Sequence, residues 1–275
     1  MTTASTERVG VLGAGRMGLP IIGHLTSAGF EVLVYDPDPA KRQPVESAGA
    51  RSARRPADLA ERCATILACV GYEEQLTEIM LGEDGLLGQL PAGTLVAVLS
   101  TVSPAAIRRL GQAARSHDVD VVDAPVCRGR QAADAGRLLS LLGGTEAATA
   151  KFTPVARAYS ADVIRLGDLG SGQAGKAVNN LILWACLVAD HEGLALAQRY
   201  GVDIAELRSA LQMSSAANHA LGNWGNQTMA WAEDDLKIVG DMAAEAGISL
   251  PQAALNREIS RALRPRRYQV DRYGR

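Results

Sequence analysis

Seven short apolar runs alternate with helix-length segments in the first 166 residues, and this alternation constrains the fold more than any other feature of the sequence. The runs cover residues 9–12, 32–35, 66–70, 95–99, 119–122, 138–142 and 163–166. Strands separated by helices are typical of βαβ units. We therefore predict an α/β domain over residues 1–166, with a doubly wound, mostly parallel sheet.

No further strand run follows Leu166, and the pattern becomes helical. The predicted helices cover residues 173–200, 204–212, 217–246 with a break, and 251–263, so residues 167–275 are predicted to form an all-α domain. The first of these helices is apolar around most of its circumference, which is typical of a helix buried on all sides. We therefore expect a homodimer or homotetramer through the helical domain. The basic tail, residues 264–275, is predicted to be frayed and solvated, with packing on a partner subunit as the alternative.

Composition excludes several classes of function. Of the 275 residues, 28 are Lys or Arg and 30 are Asp or Glu, so no basic excess suggests a nucleic-acid partner, and we expect a small-molecule substrate. No uninterrupted apolar run approaches the ~20 residues that span a bilayer, so we expect no membrane partner. The four cysteines are scattered without metal-ligand spacing, which predicts no metal site and a reducing, cytoplasmic environment.

A glycine-rich loop, GAGRMG, joins the first strand run to a helix. In this context a G-x-G-x-x-G pattern allows a tight turn and close approach of a pyrophosphate to the helix N-terminus. The predicted cofactor-binding residues of the loop are Gly13, Ala14, Gly15, Arg16, Met17 and Gly18. A plain structural turn is the alternative interpretation.

Asp36 ends the second strand run, where a carboxylate accepts hydrogen bonds from the adenosine ribose hydroxyls and repels a 2′-phosphate. This favours NAD over NADP. Lys41 and Arg42 follow closely and leave NADP open, and Asp36 as a cap of the next turn is the structural alternative.

Thr101 follows the strand run at 95–99, at the sheet edge that borders the ligand crevice in parallel sheets. We predict that it contacts the nicotinamide or the substrate. Its neighbour Ser103 precedes a proline and is also a good helix N-cap, so the segment has a purely structural interpretation as well.

Lys176 lies just inside the start of the long helix, and Asn180, four residues on, shares its helix face. The positive end of the helix dipole disfavours an ammonium group there, which suits a general acid/base. Arginine does not deprotonate, and only four of the 28 basic residues are lysines, so a lysine at this position indicates proton transfer. The alternative is a solvated lysine at a helix start.

Together these motifs resemble the β-hydroxyacid dehydrogenase family, also called the 3-hydroxyisobutyrate dehydrogenase family. The resemblance extends over residues 8–263 and rests on the dinucleotide loop, on DAPVCRG at 123–129 with Gly136 and the pair Gly143 and Gly144, and on KAVNN at 176–180. It implies a Rossmann-like N-terminal domain, an all-α C-terminal domain that mediates oligomerisation, and oxidation of a β-hydroxy acid or the reverse reduction. It also implies that Lys176 is the general acid/base and that Asn180 positions the substrate.

Two departures from the family pattern concern the substrate. Cys127, Arg128 and Gly129 stand where the family usually has Ser-Gly-Gly, so a hydroxyl is lost and a guanidinium gained. Asp234 stands where the family usually has a lysine that helps hold the substrate carboxylate. Either Lys237 partly replaces that lysine, or Arg128 binds the anion as a bidentate fork. Alternatively, Asp234 favours a substrate with a cationic or hydroxylated tail, an inference that does not hold if Asp234 points to solvent.

Two other functions remain as alternatives. Imine reductases have a similar overall plan, although that branch generally lacks the lysine found here at position 176. A non-enzymatic dinucleotide-binding protein is the other, and retention of Lys176 with Asn180 argues against it because a binder needs no proton donor.

Overall fold

The computed structural model describes residues 7–274. The chain divides into two compact units, the first ending at Lys176 and the second beginning at Ala177, so the division falls inside one long helix. Each unit is described by itself below.

The first unit is built on one sheet, whose strands run in the order β3-β2-β1-β4-β5-β6-β8-β7, with β9 also paired to β8. The strands among the described residues are β1 Arg8–Leu12, β2 Glu31–Tyr35, β3 Arg51–Ser52, β4 Thr65–Ala68, β5 Leu95–Val98, β6 Asp120–Asp123, β7 Val126–Cys127, β8 Leu138–Gly143 and β9 Ser160–Gly167. All neighbours from β3 to β6 are parallel, whereas β8 is antiparallel to β6 and β7. The predicted mostly parallel, doubly wound sheet is confirmed.

Helices connect these strands and cover both faces of the sheet. They are α1 Gly18–Ser27, α2 Arg42–Ser47, α3 Ala57–Ala60, α4 Glu73–Leu81, α5 Pro104–Ala114, α6 Gly129–Asp134 and α7 Glu146–Arg157. Successive strand residues point to opposite faces. Accordingly, Val9 and Val11 lie in one apolar cluster, whereas Leu12 and Leu33 lie in the other.

The second unit is all-α, as predicted. Its elements are the long helix α8 Ser171–Arg199, whose first turns belong to the first unit, followed by α9 Ile204–Leu211, α10 His219–Gly222, α11 Ala232–Ala246 and α12 Pro251–Leu263. The fully buried His191 lies on α8 and uses both ring nitrogens, one with the Leu187 carbonyl at 2.7 Å and one with the Tyr268 N–H at 2.9 Å. It is a structural histidine.

The C-terminal tail packs against the helices of its own unit, the second, so the expectation of a frayed tail is wrong for residues 264–274. Val270 is buried in a cluster with Leu194 and Leu221. The Tyr273 hydroxyl donates to the Glu192 carboxylate at 2.7 Å. Tyr268, Val270 and Tyr273 supply the apolar contacts that hold the tail. The arginines of the tail are compatible with this packing, since an arginine can bury its aliphatic stem while its charged head stays in water.

Helix α8 is long and apolar enough to cross a membrane, a test that core helices of soluble proteins also pass. The test is weak evidence here, because polar side chains inside the helix are bonded within the second unit. Besides His191, Asp190 accepts a hydrogen bond from Asn218 at 3.0 Å. One face of α8 nevertheless stays open in a single chain: Val178 and Ile182 are 52% and 59% exposed.

Candidate functional site

The glycine-rich loop adopts a turn that only glycine permits at two of its positions. Gly13 has φ of 97°, and a Cβ there would lie 2.4 Å from the Cys69 carbonyl oxygen. A Cβ on Gly18 would lie 2.2 Å from the Gly13 carbonyl oxygen. These contacts pack the start of α1 tightly against the ends of β1 and β4, which is where the strand order reverses and where ligands bind in such sheets.

Gly15 differs, because a Cβ added there would meet no protein atom within 4 Å. Packing of the protein itself therefore does not require glycine at this position. Close approach of a ligand to the backbone would account for glycine here, and α1 begins three residues later. The loop fits a dinucleotide pyrophosphate on this observation.

Asp36 lies at the end of β2 and bonds to the same loop. Its Oδ2 accepts from the Ala14 N–H at 2.7 Å, and its Oδ1 accepts from the Asp38 N–H at 2.9 Å. A small cavity of about 50 Å³ beside it is also lined by Lys41 and Arg42. The carboxylate thus fixes the loop while facing the space next to it, which fits an adenosine ribose.

Asp123 anchors the start of α8 to the end of β6. The fully buried carboxylate accepts from the Gly170 N–H at 2.8 Å and from the Gln173 N–H at 2.7 Å. Burial raises the pKa of Asp123, and the backbone donors oppose this effect. A Cβ on Gly143 or Gly172 would collide with this carboxylate, so both glycines make room for it.

Gln173 joins the same helix start to the segment after β5. Its side-chain Nε2 donates to the Ser100 carbonyl at 2.7 Å, and its Oε1 accepts from the Val102 N–H at 3.2 Å. These two groups flank Thr101, which is half-buried. The sequence analysis missed Gln173, since its partners lie about 70 residues away and no local pattern marks them.

Lys176, one turn further along α8, reaches the segment that follows β6. Its Nζ donates to the Val126 carbonyl at 2.8 Å. The adjacent Cys127 is buried, and burial raises the pKa of its thiol, opposed by the positive charges of Lys176 and Arg128. Cys127 is therefore a neutral, space-filling group beside the lysine.

The backbone of Arg128 has a φ of 82°, a conformation that residues other than glycine rarely adopt. Its guanidinium pairs with Asp162 at 2.6 Å and donates to the Arg137 carbonyl at 3.2 Å. The left-handed backbone costs about 1–2 kcal/mol for such a residue. Gly129, with φ of 72°, continues the turn into α6.

Two further residues, which the sequence analysis also missed, join α6 to α1. The Arg130 guanidinium donates to the Arg16 carbonyl at 2.9 Å. That carbonyl lies four residues before Pro20, which has no N–H to donate to it. His24 bonds through Nε2 to the Ala133 carbonyl at 3.0 Å. Pro20, in the first turn of α1, was the one sequence signal for the contact between Arg130 and the Arg16 carbonyl.

In the second unit, Asn180 is buried and accepts a hydrogen bond from Asn179 at 2.9 Å. Asp234 is exposed in the first turn of α11, whereas the neighbouring Asp235 accepts from the Trp184 indole N–H at 2.9 Å. Lys237 pairs with Asp241 at 2.7 Å. The substrate roles of Asn180, Asp234 and Lys237 stay predictions.

Among residues 7–274, no group of three or more His, Cys, Asp or Glu side chains is placed to hold a metal ion.

Comparison with known proteins assigns the family. Residues 8–167 match the model of the NAD binding domain of 6-phosphogluconate dehydrogenase, and residues 170–271 match that described as NAD-binding of NADP-dependent 3-hydroxyisobutyrate dehydrogenase. The chain is 31% identical to 3-hydroxyisobutyrate dehydrogenase of Pseudomonas aeruginosa, over 78% of this chain and 72% of that protein. The protein belongs to the 3-hydroxyisobutyrate dehydrogenase family. The resemblance inferred from the motifs, the dehydrogenase class and a nicotinamide dinucleotide cofactor are thereby confirmed.

Solved structures give the same fold. The 3-hydroxyisobutyrate dehydrogenase of Mycobacterium tuberculosis, determined with L-serine, superimposes with a TM-score of 0.84 at 24% identity, covering 94% of both chains. An imine reductase from Myxococcus stipitatus superimposes with a TM-score of 0.69 at 20% identity, covering 94% of this chain and 93% of that chain. The imine reductase alternative is therefore the more distant one within the shared fold.

Proposed function

We propose that this member of the 3-hydroxyisobutyrate dehydrogenase family interconverts a small β-hydroxy acid, or a related alcohol, and its aldehyde, with NAD as the cofactor. The observation that carries the proposal is the position of the Lys176 amine, 2.8 Å from the Val126 carbonyl and next to Cys127 in the altered substrate segment. A binding protein without catalysis has no need for a proton donor to a substrate at that place.

Lys176 exchanges the proton of the reaction. In oxidation its amine takes the proton of the substrate hydroxyl, and in reduction it returns that proton to the carbonyl oxygen. Thr101 donates a hydrogen bond to the same oxygen, and Asn180, one helical turn beyond Lys176, positions the substrate. The dinucleotide, when bound, accepts or supplies the hydride.

NAD rather than NADP is supported by Asp36, which presents a carboxylate where a 2′-phosphate would bring further negative charge. Lys41 and Arg42 line the neighbouring cavity and support NADP as the second choice. The test is a comparison of the two cofactors at equal concentration.

The substrate segment favours an acid whose anionic end binds a guanidinium. Arg128 offers a planar fork for a carboxylate, sulfonate or phosphonate once it leaves Asp162, an exchange between two exposed anions that costs little because such pairs contribute about 0–1 kcal/mol. The alternative, a substrate with a cationic or hydroxylated tail, has less support, because Asp234 is exposed in the first turn of α11.

A substrate panel tests the proposal. The protein is incubated with NAD or NADP and with hydroxy acids, sulfonates, phosphonates and aminoalcohols, and absorbance at 340 nm is followed. We expect turnover with at least one β-hydroxy acid. Binding of the cofactor without turnover of any member would contradict an enzymatic role and favour the dinucleotide-binding alternative.

We also propose that a second copy of the chain covers the open face of α8, giving a homodimer or homotetramer. The face carries Val178, Ile182, Ala189 and Leu196, all exposed in a single chain. Light scattering is expected to show an oligomer that Ile182→Glu dissociates. Ile248→Glu, on another exposed isoleucine, is the matched control. A monomeric wild-type protein would refute the proposal.

A cytoplasmic location is the remaining part of the proposal. All four cysteines, Cys63, Cys69, Cys127 and Cys186, are free thiols. Free thiols persist in a reducing compartment. Titration of the unfolded protein with a thiol reagent, after purification without reductant, is expected to find all four.

A further inference from the structure

Gln173 joins the start of the Lys176 helix to both peptide groups around Thr101. It is 1% exposed and sits on the first turn of α8. Its Nε2 donates to the Ser100 carbonyl, and its Oε1 accepts from the Val102 N–H. Its own backbone N–H donates to Asp123 at the end of β6.

The two residues next to Thr101, Ser100 and Val102, are buried in the protein interior. The Ser100 hydroxyl accepts from the Val70 N–H at 2.9 Å and donates to the Val70 carbonyl at 2.9 Å. Val102 is fully buried. Thr101 is therefore the half-buried member of this triplet, and the direction of its side chain depends on the two peptide groups that Gln173 holds.

The hydrogen-bond pattern specifies the chemistry required at position 173. One side-chain group must donate, and the other must accept. A carboxamide meets this requirement, and so does a protonated carboxyl group, whereas a carboxylate presents acceptors only. A methionine of similar length meets neither half of it.

We infer that Gln173 is a positioning residue for the reaction, which fixes Thr101 relative to the helix turn that carries Lys176. The inference rests on the proposed function, in which Thr101 and Lys176 act on the same substrate oxygen. Loss of either Gln173 bond lets Thr101 turn away, and a displacement of about 1 Å at a reacting centre costs up to about 100-fold in rate.

Gln173→Met and Gln173→Glu test this inference together. We expect Gln173→Met to lower kcat at least about tenfold at every pH, with the Kd for NAD changed less than about twofold. Gln173→Glu is expected to approach the wild-type kcat at about pH 5.5 and to fall toward Gln173→Met as the pH rises, since burial beside Asp123 favours the neutral carboxyl group. Thermal melting at each pH verifies that the variants stay folded.

Two results would overturn the inference: a wild-type kcat in Gln173→Met, or a Gln173→Glu to wild-type ratio that does not change with pH. Lys176→Ala separates this from the proposed function. If Lys176→Ala retains turnover, the proton-transfer role fails, whatever the Gln173 variants do.

Hydrogen exchange gives a readout that needs no substrate. The Val102 amide is expected to exchange faster in Gln173→Met than in the wild type, and to stay protected in Gln173→Glu, whose side chain still accepts from the Val102 N–H. Equal exchange in all three proteins would refute the claim that Gln173 holds this segment, even if no substrate is found.

Discussion

The Lys176 ammonium donates a 2.8 Å hydrogen bond to the backbone carbonyl of Val126, 50 residues earlier in the chain. This bond joins the first turns of α8 to the segment between β6 and α6. It occupies one of the three N–H groups of the amine, so the others remain for a substrate oxygen. The Lys176 side chain is thus oriented by a main-chain group, which substitution of Val126 does not remove.

Replacement of Lys176 tests the proton transfer. Lys176→Ala is expected to lower kcat by about 10²–10⁴-fold while the Kd for NADH, measured by fluorescence titration, stays within about threefold. Lys176→Arg is the matched control, because it keeps the positive charge but cannot release a proton. Turnover by the arginine variant at the wild-type rate would contradict the assignment.

Asp36 variants test the choice of cofactor. Asp36→Ala is expected to reduce the ratio of kcat/KM for NAD over NADP by about tenfold or more, because the charge that repels a 2′-phosphate is gone. Asp36→Asn keeps an oxygen that accepts from the Ala14 N–H and removes only the charge. An unchanged ratio in both variants would show that another group decides the preference.

Arg128 variants separate backbone strain from charge. Arg128→Ala loses the exposed pair with Asp162 but keeps a side chain at φ of 82°, whereas Arg128→Gly relieves the strain. We expect the glycine variant to be more stable than the alanine variant by about 1 kcal/mol in calorimetry. A glycine variant that melts at or below the alanine variant would refute this. Both variants are expected to lose preference for anionic substrates.

His191 makes the second unit sensitive to acid. Burial lowers the pKa of His191 from its ordinary value of 6.5, and a protonated ring loses the bond from the Tyr268 N–H. The bonds of the neutral ring therefore contribute stability above about pH 6.5, and this contribution is lost as the pH falls through the lowered pKa. The Tm advantage of the wild type over His191→Gln is expected to shrink below that pH. A constant advantage would contradict the prediction.

The strands and helices were largely predictable from the sequence because their signals are local. The bounds of the apolar runs lie within three residues of the observed bounds of seven strands, and α8 to α12 fall where helical periodicity indicates. The strands β3 and β7 were missed, since two residues carry no periodicity. The tail was misjudged because its charge was visible, whereas the fit of Val270 among buried leucines was not.

For the candidate site, the sequence by itself determined which residue types are present: the glycines of the loop, Asp36 after β2, and Lys176 at a helix start. Those follow from short motifs whose chemistry is local. Only the tertiary structure decided what holds them, namely Asp123 and Gln173 under the helix start and Asp162 on Arg128. Hydrogen bonds between residues 34 to 73 positions apart depend on how strand ends converge at one sheet edge, and a one-dimensional pattern does not encode that convergence.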